Sequence, residues 1–182
     1  MVDKNINRVL SAFRKAKIDL PLIVGQRAER FFKLSFVKQG FTDNGFDAWQ
    51  KRKREYNTFR SPSAGKKILS HNGFLRDSIK LVSHNWNRIV IKSTGVPYAQ
   101  IHNDGGTTHP TVTKKMRRWA WAMYFETGDP MFKNIALTKK TKLDVKIPQR
   151  KFMGESATLE RGIKHLIDYE VKQLLKQNGI KI

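Results

Sequence analysis

Residues 97–106 read PYAQIHNDGG, and this segment limits the possible folds of the chain more than any other. Pro97 biases the residue before it toward an extended conformation, so a strand that reaches this point must end. Residues 98–102 then have the spacing of one or two helical turns. Gly105 and Gly106 end that helix, because glycine adopts left-handed backbone conformations at little steric cost. The sequence therefore predicts a short helical plug between two strands.

The residues before this segment predict an antiparallel hairpin. Leu75, Ile79 and Leu81 alternate with polar residues, as the buried face of a strand does. Residues 88–92, RIVIK, form a second short apolar run with charged ends. A reversal at 85–87, NWN, would join the two strands.

Helices are predicted at both ends of the chain. Apolar residues recur at helical spacing over 3–18 and 22–38, with Pro21 interrupting and Asp19 capping the second helix. At the other end, Ser156 or Thr158 caps a helix that Gly179 ends. The apolar stripe of that last helix contains Leu159, Ile163, Leu166, Ile167, Val171, Leu174 and Leu175.

These patterns predict an α+β fold in which N- and C-terminal helices pack on an antiparallel β-sheet, with the short helical plug between strands. We expect one domain over residues 1–182, because its length is close to that of a typical domain. Turn-forming residues predict long loops at 39–66 and 126–146. Between the loops, Thr113 caps a helix over 114–125 whose apolar face is wide enough to bury against the core or a partner.

The segment after the second loop predicts an edge strand. Residues 147–148 would begin it, because proline cannot donate a hydrogen bond within a central sheet. Phe152 is expected to enter the core, and Arg150 is expected to be held by a local carboxylate or carbonyl.

The chain is strongly basic, with 36 Lys and Arg against 15 Asp and Glu and a net charge of +21. The excess is +8 over residues 1–60, +6 over 61–115 and +7 over 116–182, so it is spread along the chain. Such a surface attracts nucleic acid or an acidic partner protein, and the sequence favours neither. The candidate contact residues are Trp49, Lys51, Arg52, Lys53, Arg54, Lys114, Lys115, Arg117, Arg118, Trp121, Lys139, Lys140 and Lys142.

Trp49 and Tyr56 flank the first basic cluster and admit two interpretations. Either ring could stack on a base while the cations contact phosphates. Alternatively, Trp49 anchors a solvated loop, and we favour this interpretation because charge runs are usually solvated.

Several classes of protein are excluded or disfavoured. The absence of cysteine excludes disulfides, thiolate metal sites and cysteine nucleophiles. No run approaches the roughly 18 apolar residues of a membrane span, and the first residues lack the layout of a secretory signal. We therefore expect a soluble, cytoplasmic protein that makes no membrane contact.

The sequence also argues against an enzyme. His102 and His109 suggest an HNH-type nuclease, but such a site needs a ββα arrangement with a metal-binding histidine on its helix. Gly105 and Gly106 lack the Lys-Ser/Thr of a phosphate-binding P-loop, and the carboxylates are scattered. We predict no catalytic residue, no metal and no cofactor.

Three segments carry a resemblance to a known family. Residues 68–79 read ILSHNGFLRDSI, residues 98–106 read YAQIHNDGG, and residues 147–154 read IPQRKFMG. In this order they resemble the phage virion morphogenesis family, the tail-completion or head–tail joining proteins of Mu-like phages, with Asn72 where that family has Ser or Thr. The matching motif residues are Leu69, Gly73, Leu75, Ser78, Ile79, Tyr98, Ala99, Ile101, His102, Gly105, Gly106, Pro148, Arg150, Phe152 and Gly154.

The resemblance covers residues 20–178 and implies an assembly role rather than catalysis. It implies a virion protein that is present in the host cytoplasm during assembly and acts in tail completion or head–tail joining. Its partners would be other virion proteins of the tail tube or the head–tail connector, and copies of itself in a ring. Contact surfaces would come from 39–66, 114–125 and 126–146, with non-specific DNA contact at a basic inner surface. A basic nucleic-acid-binding module is the alternative.

Overall fold

A computed structural model describes residues 2–59 and 65–179, with side chains described from residue 6. Its fold is α+β with helices at both ends and small antiparallel sheets, as the sequence predicted. None of the helices in these ranges is long and apolar enough to cross a membrane. The elements are α1 (Val2–Lys38), β1 (Gly40–Thr42), β2 (Phe46–Ala48), α2 (Phe74–Asp77), β3 (Ile79–Asn85), β4 (Arg88–Ser93), α3 (Ala99–Asp104), β5 (Gly106–Thr108), α4 (Lys114–Thr127), α5 (Pro130–Leu137), β6 (Val145–Ile147) and α6 (Ala157–Gln177).

The predicted break in the N-terminal helix is wrong. Helix α1 continues through Pro21, and Asp19 therefore lies inside a helix instead of capping one. Proline removes one main-chain donor and usually kinks or breaks a helix. Here Leu20, Pro21 and Val24 are all buried, and α1 packs on β3, β4 and α6. Tertiary packing on both sides of the proline thus overrides its local preference.

The predicted hairpin is present as the antiparallel pair β3–β4, but its first strand starts later than expected. Leu75 belongs to α2, a single turn that follows Gly73 in the left-handed conformation (φ 74°). The Ser78 hydroxyl donates to the Leu75 carbonyl and lies 2.7 Å from the Ser93 hydroxyl. These bonds hold the turn against the hairpin. The alternation of apolar and polar residues across Leu75 therefore predicted a strand where the chain forms a helical turn.

The strands form three separate two-stranded antiparallel sheets in the part of the chain that the structure describes: β1–β2, β3–β4 and β5–β6. The predicted plug is α3, which lies between β4 and β5 in sequence. Strand β6 ends at Ile147 instead of beginning there. Because Pro148 has no main-chain N–H, it is suited to end a strand as well as to start one.

Both segments predicted as long loops contain regular structure. Segment 39–66 opens with the β1–β2 hairpin. Segment 126–146 contains α5, which starts with Asp129 as its N-cap and Pro130 in its first turn, a typical helix-start signal. The prediction for α4 was correct at its start, where the Thr113 hydroxyl accepts from Met116 N.

The core gathers side chains from both halves of the chain. Phe36, Ile79 and Phe152 are almost completely buried, and Trp49 packs edge-to-face on Phe36. The predicted Ser156 cap of α6 is present. Of the α6 stripe, only Leu159 belongs to the buried core, and the other members are half-buried. The core cluster consists of Ala28, Phe32, Phe36, Phe41, Trp49, Leu75, Ile79, Ala99, Phe152 and Leu159.

Gly25 lies where α1 crosses the β3–β4 hairpin. A Cβ atom at this position would lie 2.6 Å from Leu81 Cδ1 and 3.2 Å from Ile89 Cγ2. The absence of a side chain therefore lets the helix approach the hairpin closely. Gly162 on α6 provides a contrast, because nothing lies within 4 Å of the corresponding Cβ position.

We expect Gly162→Ala to stabilise the protein and Gly25→Ala not to. Alanine is favoured over glycine inside a helix by about 1 kcal/mol, whereas overpacking costs roughly 1–3 kcal/mol. Urea unfolding of the two variants measures the difference, and adding Leu81→Ala to Gly25→Ala should reduce the overpacking. An equal gain in both single variants would show that Gly25 is not needed for close packing.

Candidate interaction site at a clamped basic cleft

The end of α3 accepts hydrogen bonds from the main chain of the segment that follows β6. The Asn103 side-chain oxygen Oδ1 accepts from Phe152 N at 2.9 Å and from Met153 N at 3.0 Å. Arg150 N donates to the His102 carbonyl at 2.8 Å. We call these three hydrogen bonds the clamp. They join two of the segments that carry the family resemblance.

The two glycines of the plug allow this close approach. Gly105 ends α3 with φ 75°, and a Cβ atom there would lie 2.9 Å from Gln149 N. At Gly106, φ is 141° and a Cβ atom would lie 2.8 Å from Ile101 Cδ1. Side chains are disfavoured at both positions by conformation and by space. The predicted helix stop is therefore also a packing requirement.

A second pair of contacts fastens the loop after β2 to the same segment. Trp49 is only 7% exposed, and its indole Nε1 donates to the Lys151 carbonyl at 2.7 Å. The Arg150 guanidinium donates to the Gln50 carbonyl through Nε at 3.4 Å and Nη2 at 3.2 Å. Trp49 is thus an anchor, as we favoured, and its ring is not accessible for base stacking. The expected carbonyl partner of Arg150 is also present.

Between residues 50–53 and residues 146–150 lies a cleft of about 670 Å³, which we call the basic cleft. Five of its lining side chains are cationic and none is acidic. Lys51, Lys53 and Lys146 are exposed, and among the described residues their ammonium groups have no hydrogen bond or ion pair. The lining residues are Gln50, Lys51, Arg52, Lys53, Lys146, Pro148, Gln149 and Arg150.

The electrostatics of the cleft disfavour further positive charge. Burial and the neighbouring charge of Arg52 lower the pKa of Arg150. Burial lowers the pKa of His102, and the charge of Arg150 lowers it further. The buried His102 Nδ1 has no hydrogen-bond partner in the described structure. An anion in the cleft would reduce the repulsion among these groups.

The other predicted contact residues lie on different parts of the molecule. Arg54 pairs with Asp129 at 3.2 Å and lines a second cleft with Lys140. The Asp129 carboxylate also accepts from the Tyr56 hydroxyl at 2.7 Å, so Tyr56 is held in place. Lys139 and Lys142 are exposed on the segment after α5. The structure therefore does not gather all the predicted basic clusters into one surface.

On α4, the predicted contact residues differ in their roles. Lys114, Lys115 and Arg118 are exposed. Arg117 is half-buried and donates to the Ala136 carbonyl at 2.8 Å, which ties α4 to α5. The half-buried ring of Trp121 stacks on Phe125, whose side chain is 79% exposed.

The motif residues are mostly structural. Leu75, Ser78, Ile79, Ala99 and Phe152 are buried. Gly73, Gly105, Gly106 and Gly154 adopt positive φ, as does Leu69. Tyr98 lies edge-on to His102, Ile101 is half-buried, and Pro148 and Arg150 line the basic cleft.

Sequence reasoning missed four residues that build the site. Asn103 holds the clamp, and Gln50, Lys146 and Gln149 line the basic cleft. An asparagine in the last turn of a short helix was a usable signal for Asn103, because such side chains often bond to nearby main chain. Gln50 becomes a neighbour of Lys146 and Gln149 only through contacts between segments about a hundred residues apart.

The two histidines considered for a nuclease have separate environments. His102 packs beside Tyr98, whereas His109 lies at the surface with its Nδ1 2.8 Å from Asp144 Oδ1. Within residues 2–59 and 65–179, no group of three metal-ligating side chains is close enough to hold an ion.

We expect Asn103→Ala to lower the free energy of unfolding by about 1–3 kcal/mol, because it leaves the main-chain donors of Phe152 and Met153 without their acceptor. Asn103→Asp keeps an acceptor and should lose less. Asn134→Ala, an exposed change on α5, is the control. Urea unfolding measures all three, and equal stability of the Ala and Asp variants would contradict the clamp.

We expect His102 to make stability fall as the pH drops from neutral toward 5. Its folded-state pKa lies below the unfolded value of about 6.5, so the unfolded chain binds more protons in this range. Stability is therefore highest above the unfolded value and falls as the pH drops from that value through the lower folded-state pKa. Urea unfolding across this range should show a smaller pH slope for His102→Gln than for the parent. The exposed His71→Gln serves as the control, and equal slopes for the parent and His102→Gln would contradict this role.

One of three comparisons with known proteins gave a match. A search of curated proteins and a search of solved structures found no significant match. The model of the Phage virion morphogenesis family matches residues 2–172, which is most of the chain and includes the clamp and the basic cleft. This chain therefore belongs to the phage virion morphogenesis family.

Proposed function

We propose that this protein completes the phage tail or joins the tail to the head by assembling with neighbouring virion proteins and with copies of itself. Membership of the family supports a role in virion morphogenesis. The host cytoplasm during assembly, and then the virion, are the proposed locations. The mechanism is binding, with no catalytic step.

The observation that carries the proposal is the exposed aromatic surface of α4. Phe125 is 79% exposed and stacks on Trp121 with ring centroids 5.9 Å apart. Tyr124 packs against both rings. Aromatic residues dominate the energetics of protein interfaces, and an exposed group of them is typical of an interaction surface. We infer that α4 and the neighbouring α5 supply the contact between copies in a ring.

The net charge makes the contact between copies depend on the salt concentration. Copies that each carry +21 repel one another, and salt screens this repulsion. Self-association through apolar surfaces should therefore strengthen as salt increases. Binding to DNA should weaken instead, because each neutralised phosphate releases counterions.

The alternative function is a nucleic-acid-binding module. Exposed cations such as Lys114, Lys115 and Lys139 favour general affinity for polyanions. The burial of Trp49 removes one of the two rings that this alternative would stack on bases, and the hydroxyl of the other, Tyr56, is bonded to Asp129. We therefore assign DNA contact a secondary, non-specific role at the basic surface of the assembled ring.

We expect light scattering to show a discrete oligomer that forms with increasing concentration without DNA, and more readily at the higher of two salt levels. Phe125→Ser should weaken this association by at least about tenfold, as loss of a central aromatic contact does. Tyr169→Ser, an exposed aromatic change on α6, should leave it unchanged. A monomer that binds duplex DNA tightly at the higher salt would favour the nucleic-acid-binding module.

A further inference from the structure

We propose that the basic cleft binds an extended acidic segment of a different virion protein. This inference rests on the proposed assembly role and adds the chemistry of the partner. It concerns a surface distinct from the aromatic surface of α4, and its test is independent of self-association.

The cleft has the form of a carboxylate-binding site. Exposed Lys51, Lys53 and Lys146 line the cleft together with the half-buried Arg150, and no acidic side chain lines it. Arg150 is fixed by its bonds to the Gln50 carbonyl. A carboxylate entering the cleft would meet a positioned arginine and flexible lysines, a combination that favours charge-assisted hydrogen bonds.

Nucleic acid fits this cleft less well. Single-stranded nucleic acid is held by aromatic rings that stack on its bases, and none of the lining residues is aromatic. The nearest candidate, Trp49, is buried and bonded to Lys151. A duplex is a convex cylinder, so its phosphates reach the exposed lysines more readily than the half-buried Arg150.

A second copy of the chain does not fit either. No two of its 15 acidic residues are adjacent in the sequence. The chain therefore offers no acidic run that matches several cations along one cleft. The occupant must come from another protein, and an extended segment matches a cleft formed by residues 50–53 and residues 146–150.

Fluorescence anisotropy with a labelled oligoglutamate peptide tests the proposal, at a concentration where light scattering shows the monomer. We expect binding that decreases with salt, and no binding of an oligoglutamine peptide. Lys51→Glu/Lys53→Glu/Lys146→Glu should weaken binding at least about tenfold more than Lys15→Glu/Lys164→Glu/Lys172→Glu, a control with the same change in net charge. All six lysines are exposed, so neither variant disturbs the core.

Equal losses in the two triple variants would show that only net charge attracts the peptide, and would overturn the proposal. Unlabelled single-stranded and duplex oligonucleotides serve as competitors. Displacement of the peptide by either one at lower concentration than oligoglutamate would assign the cleft to nucleic acid. Because the measurement uses the monomer, failure of the cleft to bind is distinct from failure of the chain to form a ring.

Discussion

The structure depends on the hydrogen bonds by which the end of α3 holds the segment after β6. Asn103 accepts from two successive main-chain donors, and the His102 carbonyl accepts from Arg150. These bonds fix the direction in which residues 150–153 run, so that Phe152 points into the core and Arg150 points into the cleft. Polar contacts between the last turn of a short helix and an irregular segment thereby determine both the packing and the surface chemistry.

The molecule separates its structural groups from its exposed ones. Glycines with positive φ and buried apolar side chains occupy the motif segments, whereas exposed cations such as Lys51, Lys53 and Lys139 lie outside them. The loop after β2 shows the same separation. The buried ring of Trp49 anchors the loop to the core, while Lys51 and Lys53 remain at the surface. The positions that determine the fold are therefore largely different from the positions available to a partner.

Local sequence signals predicted the elements well where packing agreed with them. The Thr113 and Ser156 caps, the β3–β4 hairpin and the plug were all read from short-range patterns. The continuous α1 was not, because burial on both sides of Pro21 outweighs its local preference. The basic cleft could be predicted only in part: the cluster at 51–53 is visible in the sequence, but Lys146 and Arg150 join it through contacts across about a hundred residues.

The proline inside α1 leaves a gap in the main-chain hydrogen bonds of the longest helix. Pro21 has no N–H, so the carbonyl one turn earlier lacks its usual helical partner and the helix bends there at lower cost than elsewhere. With 37 residues, α1 is about 55 Å long. A small change of angle at its middle would move its N-terminal end by several ångströms, but α6 packs along α1 and opposes such a change. The continuity of α1 at this point therefore depends on its packing against the hairpin and α6 more than on its own main-chain hydrogen bonds.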